Sequence, residues 1–110
     1  MDIRAAQDKV RDVLGELFHP RLGSYIALTE EVGELADEIM QREIYGQKEN
    51  SDDMGKEMAD ILVCLLELAT RYNIDLESAF AAKFAAIEGK VPQWREKFGP
   101  SLATQRARLD

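Results

Sequence analysis

The sequence predicts an all-α fold, a four-helix bundle-like domain that associates into oligomers. Apolar residues recur at three- and four-residue spacing along most of the chain, the mark of helices that bury one face. No stretch alternates apolar and polar residues as a half-buried strand would. Helix-breaking and capping residues gather at a few junctions, near 19–24, 45–53, 73–75 and 89–92. The 110 residues suit one domain, 1–110, with 91–110 as a C-terminal extension.

The first helix is expected over about Asp2 to Phe18, where Ile3, Ala6, Val10, Leu14 and Leu17 share a face. His19-Pro20 ends it, because proline disfavours helical geometry in the preceding residue. A second helix runs from about Ser24, read as its cap, to Ile44, with Leu28, Val32, Leu35 and Ile39 as its apolar stripe. Tyr45 to Asp53 is polar, contains Gly46 and Asn50, and reads as a loop.

The third helix is expected from about Asp53 to Tyr72. After Asp60 it is apolar almost all the way round, which calls for burial on several sides, in a bundle centre or a subunit interface. That apolar excess is too large for a freestanding chain of this size and points to a homodimer or homotetramer. Asp75 caps a fourth helix through about Glu88, and Gly89 and Pro92 close it. The tail ends in charged residues and is expected to fray. Trp94 and Phe98 would pair on a short terminal helix, and Tyr25 and Phe84 read as core.

Composition narrows the function. The net charge of -7 opposes duplex nucleic acid, whose phosphates an acidic surface repels, but nucleotides remain open because bound metal can reverse the local field. Cys64 is the lone cysteine, so no intrachain disulfide forms and a reducing, cytoplasmic setting is expected. Its thiol lies in an apolar run and reads as inert. The start of the chain lacks a basic segment followed by an apolar one. The longest apolar run, Ile61 to Leu66, falls far short of the ~20 residues a membrane span needs. Neither a phosphate-binding glycine loop nor a Ser-His-Asp order is present.

Two carboxylate pairs stand out. Glu31 and Glu34 are three apart at the edge of the second helix's apolar stripe, and Glu57 and Asp60 are three apart just before the apolar run of the third. One reading is a solvated acidic face, which suits Glu38, Glu43 and Glu49. The other is a divalent cation site at a bundle seam, where carboxylates without cationic neighbours would otherwise repel one another at a cost of several kcal/mol. All-oxygen ligation favours Mg²⁺, or Mn²⁺, over zinc or iron, and His19 lies outside any di-iron motif.

Glu30-Glu31-Val32-Gly33-Glu34 followed by Glu57-Met58-Ala59-Asp60 resembles the EExxE…ExxD signature of the MazG-like, all-α NTP pyrophosphatase superfamily. Phe18-His19-Pro20-Arg21, Ala27 to Ala36, Asp60 to Val63, Ile74 to Glu77 and Lys83-Phe84 extend the similarity over about residues 5 to 90. The resemblance implies a MazG-type fold with sites shared between subunits. It also implies hydrolysis of a nucleoside triphosphate to the monophosphate and pyrophosphate, a housekeeping role in the nucleotide pool.

By the same resemblance Glu31, Glu34, Glu57 and Asp60 hold the metal, Glu30 activates the attacking water and Lys83 contacts substrate. Four residues after Lys83, where dCTPase-like members carry Asn, stands Ile87, a departure from the cytosine-specific pattern. Phosphoribosyl-ATP pyrophosphohydrolase is the alternative within the superfamily, and a non-catalytic helical oligomerisation or regulatory module the alternative outside it.

Overall fold

The structure is a computed structural model that describes residues 1–110, of which 85% are helical and none lies in a strand. Its helices are α1 (Ile3–Leu14), α2 (Arg21–Glu43), α3 (Ser51–Arg71) and α4 (Leu76–Leu109), with a 3₁₀ turn at Gly15–Leu17. The all-α expectation holds. The chain divides into two compact units, Met1–Leu76 and Glu77–Asp110.

In the first unit α3 is central: α2 packs along it most extensively, and α1 lies on it as well. Asp2 caps α1 by accepting from the Ala5 N–H at 2.7 Å. The helix tightens into the 3₁₀ turn before Phe18, whose extended backbone leads into Pro20. α2 begins at Arg21 with Pro20 as its cap residue, three residues earlier than expected. Ser24 is therefore no cap. It lies inside the helix, fully buried, and donates to Glu67 Oε2 on α3 at 2.5 Å. Gly23 permits the close approach of the preceding turn, since a Cβ there would stand 3.1 Å from His19 Cβ.

The α2–α3 loop is held by side chains. Asn50 Nδ2 donates to the Glu38 carbonyl at 2.8 Å and to Glu38 Oε2 at 2.9 Å. Arg42 Nη2 donates to the Lys48 carbonyl and to Ser51 Oγ. Glu38, expected to be solvated, is thus a structural acceptor. At its far end α3 closes with Asn73 at φ 56°, the Ile74 N–H on the Ala69 carbonyl and the Asn73 N–H on that of Thr70, the paired bonds of a left-handed helix end. Gln7 of α1 then grips this end: its Nε2 donates to the Ile74 carbonyl at 2.7 Å, and its Oε1 accepts from the Leu76 N–H at 3.1 Å. Arg4 adds an ion pair with Asp75 at 2.8 Å.

Burial departs from the sequence reading. Leu66 and Ala69 on α3 are the buried apolar residues, whereas Met58, Leu62 and Leu65 on the same helix, and Tyr72 at its end, remain substantially exposed. Tyr25 (54% exposed) and Phe84 (47%) are not core.

The second unit is the body of α4. It runs unbroken to Leu109, through Gly89, Pro92 and Pro100, instead of closing near Glu88. Each interior proline leaves one carbonyl, those of Glu88 and Glu96, without its intrahelical donor. The apolar phase does not change across Gly89-Pro92: Phe80, Phe84 and Ile87 before it share a face with Val91 within it and with Trp94, Phe98 and Leu102 after it. Local breakers alone predicted a stop that the helix does not make. No helix is long and apolar enough to cross a membrane.

Candidate metal centre

The register between α2 and α3 builds the site. Ser24 of α2 faces Glu67 of α3. The helices run antiparallel, so seven residues onward along α2 correspond to seven residues back along α3. Two helical turns, about 10.5 Å, therefore carry the pairing from Ser24–Glu67 to Glu31–Asp60, and three further residues bring Glu34 opposite Glu57. The two i,i+3 pairs meet across one seam. Carboxylate oxygens of Glu31, Glu57 and Asp60 lie within 4.8 Å of one another, and Glu34 is within hydrogen-bonding reach of both Glu31 and Glu57.

The electrostatics are strained. Burial is the largest cause raising the Glu31 carboxyl above its ordinary value, followed by the charge and hydrogen bond of Glu34 and then by Asp60. Glu57 is pushed up to about 7, first by burial, then by the hydrogen bond and charge of Glu34, then by Glu31 and Asp60. Ion pairs do not relieve the cluster: Arg4 bonds to Asp75, Arg11 to Asp8 and Asp12, and His19 to Glu67. Two buried oxygens, Glu31 Oε2 and Glu57 Oε2, have no hydrogen-bond partner. Buried polar atoms are rarely left so, and orphaned carboxylate oxygens beside two further acids suit a hard divalent cation that takes oxygen ligands.

Of the residues expected at the site, four were singled out by spacing, and Glu30 and Lys83 by the resemblance alone. Glu31, Glu34, Glu57 and Asp60 come together. Glu30 is exposed on α2 beside Glu31 and outside the cluster. Lys83 lies on α4, in the second unit. Cys64 sits between Asp60 and Glu67 on α3, and its thiol is raised by burial and by Glu31, Glu67 and Asp60, all of which disfavour the reactive thiolate.

The sequence reading missed the far end of the seam. Glu67, 12% exposed at its side chain, accepts from Ser24 and sits 3.0 Å from His19 Nδ1 on the same oxygen. The signal that could have found it is the equal seven-residue offset from Glu31 to Ser24 and from Asp60 to Glu67.

The α2–α3 hairpin thus brings two carboxylate pairs together across one partly exposed seam, an acidic cluster on an all-α frame. Residues 22–93 match the MazG nucleotide pyrophosphohydrolase domain, and the chain belongs to that family. A relative, the uncharacterized protein YpjD of Bacillus subtilis (strain 168), is 37% identical over 83 residues, which cover 71% of this chain and 73% of its own. No solved structure matches the chain.

Proposed function

We propose that this chain is a Mg²⁺-dependent pyrophosphohydrolase that converts a (d)NTP to the (d)NMP and pyrophosphate, a housekeeping activity of the nucleotide pool. The observation that carries it is the α2–α3 cluster with its two orphaned buried oxygens. Glu31, Glu34, Glu57 and Asp60 would hold the cation. Bound Mg²⁺, or Mn²⁺ in its place, supplies neutralisation of the triphosphate and a lowered pKa for coordinated water.

The chain's own residues do the rest. Glu30, exposed beside the cluster, takes a proton from the attacking water as general base. The water oxygen bonds to the α-phosphorus, the bond from that phosphorus to the bridging oxygen breaks, and pyrophosphate leaves with the bridging oxygen. Lys83 offsets phosphate charge through its ammonium group. Such chemistry depends on positioning and charge more than on covalent help, which a side-chain-pinned helical hairpin suits. Residues 1–110 act as one functional domain in this reading, since the family match at 22–93 runs through α2, α3 and half of α4. The lone cysteine suits a cytoplasmic setting.

Pyrophosphate release from a panel of ribo- and deoxynucleoside triphosphates, with and without Mg²⁺, tests the proposal. Mg²⁺-dependent release is expected, falling about 100-fold or more in Glu34→Gln and Asp60→Asn. Folded protein that releases none from any substrate refutes the activity, and full activity in both variants refutes the site.

A further inference from the structure

The four carboxylates carry like charge on two helices, so without a cation they push α2 and α3 apart. At the loop end of this hairpin the chain itself and the Asn50–Glu38 bonds hold the helices together. The opposite end has no covalent link between the two helices and is closed by a side-chain tie instead. Glu67 of α3 meets Ser24 Oγ of α2 at 2.5 Å and His19 Nδ1, at the entry to α2, at 3.0 Å, both on its Oε2. Ser24 is fully buried, and so small a side chain there lets the two helices approach closely.

We infer, on the metal reading of the cluster proposed above, that Glu67 is a positioning residue for the carboxylate centre. Its hold on Ser24 sets how near Glu31 of α2 stands to Glu57 and Asp60 of α3, and with it the affinity and ligand geometry for a divalent cation. Glu67 lies seven residues from Asp60, and Ser24 seven from Glu31, two turns or about 10.5 Å along each helix. Helices bend little over so short a span, so the spacing fixed at the tie is carried to the ligands. Cys64 lies between the two: its thiol is raised first by burial, then by Glu31, Glu67 and Asp60, so tie and cluster line one continuous seam.

Stability alone does not call for a carboxylate and a hydroxyl here. Apolar groups of the same shape in place of a buried polar pair are often neutral or stabilising. What the polar pair adds is direction, because a hydrogen bond fixes distance and register where an apolar contact lets helices slide. With Ser24 and His19 on one oxygen, the Glu67 carboxylate is itself held in one orientation. Metal sites respond strongly to such support: residues that orient the ligands typically matter by about 10–100-fold in affinity.

Mg²⁺ binding to the full chain by calorimetry, the low-temperature EPR spectrum of bound Mn²⁺ and urea unfolding together separate position from stability. Ser24→Ala with Glu67→Met puts apolar groups of similar size in place of the tie. This double variant should unfold near the wild-type midpoint, while Mg²⁺ affinity falls about 10-fold and the Mn²⁺ lines broaden. Ser24→Ala alone should shift affinity and spectrum in the same direction, by less. Glu67→Gln keeps an oxygen for Ser24 and removes only a charge about 10.5 Å away, so it should stay within about 3-fold of the wild type. Gln7→Ala frees α1 from the far end of α3 and should lower the unfolding midpoint with Mg²⁺ affinity unchanged. Wild-type affinity and spectrum in both Ser24 variants overturn the inference. So does a Gln7→Ala or Glu67→Gln chain that loses as much affinity as the double variant. A wild-type chain that binds neither cation overturns the metal reading, and this inference with it.

Discussion

Lowering the pH from about 8 to about 5.5 perturbs the carboxylate cluster directly, because Glu57 is held at about 7 against an ordinary 4.5. Without a cation the fold favours the protonated form. The cost of ionising Glu57 is therefore absent below about pH 4.5, grows as pH rises towards 7, and stays in full above it. A divalent cation inverts this balance, since its ligands must be deprotonated. With a carboxyl near 7, about 3% of Glu57 is ionised at about pH 5.5 and about 90% at about pH 8, so apparent Mg²⁺ affinity should rise about 30-fold between them.

The assay is thermal unfolding across a Mg²⁺ titration at both pH values, with calorimetry in two buffers of different ionisation heat to count released protons. Glu57→Gln should unfold at a higher temperature than the metal-free wild type near pH 8, lose that advantage near pH 4.5, and gain little from Mg²⁺ at either. Equal wild-type Mg²⁺ affinities at the two pH values, or a Glu57→Gln chain stabilised by Mg²⁺ as the wild type is, would refute the account of the seam.

Other substitutions probe the frame. Ser24→Ala removes a fully buried hydroxyl that donates to the Glu67 carboxylate, and should cost about 1.5–3 kcal/mol in urea unfolding. Asn73→Ala places a Cβ-bearing residue without a local polar side chain at φ 56° and should cost about 1 kcal/mol, whereas Asn73→Gly should be near neutral by the same measurement. Asn50→Ala removes both bonds to Glu38 at the loop, so hydrogen exchange of the residues 44–50 amides should accelerate. Lys83→Ala should raise KM for the triphosphate in the pyrophosphate-release assay, with an unchanged KM and kcat removing its assigned role.

Much of the acidic cluster was legible from spacing because helical neighbours are fixed by local geometry. Glu31 with Glu34, and Glu57 with Asp60, must share a face once each segment is helical, whatever packs against it. Their meeting is a different matter. It depends on the register of α2 against α3, which the buried Ser24–Glu67 bond and the Asn50–Glu38 clamp hold from either end. Ser24 illustrates the limit: its residue type and the preceding glycine fit a helix cap, yet the chain enters the helix at Arg21 and spends the hydroxyl on α3.

By itself the sequence determined that the chain is helical, where α1, α2 and α3 lie to within a few residues, and which carboxylates sit on which faces. Those properties follow from contacts three and four residues apart. Only the tertiary structure decided which carboxylate faces which, that Glu31 and Glu57 keep orphaned buried oxygens, and that α4 continues through Pro92 and Pro100. The pairing and the burial depend on atoms far apart in the chain, whose approach no local preference records. α4 is the converse case, where the breakers at 89–92 outweighed, on paper, a stripe whose phase never changed.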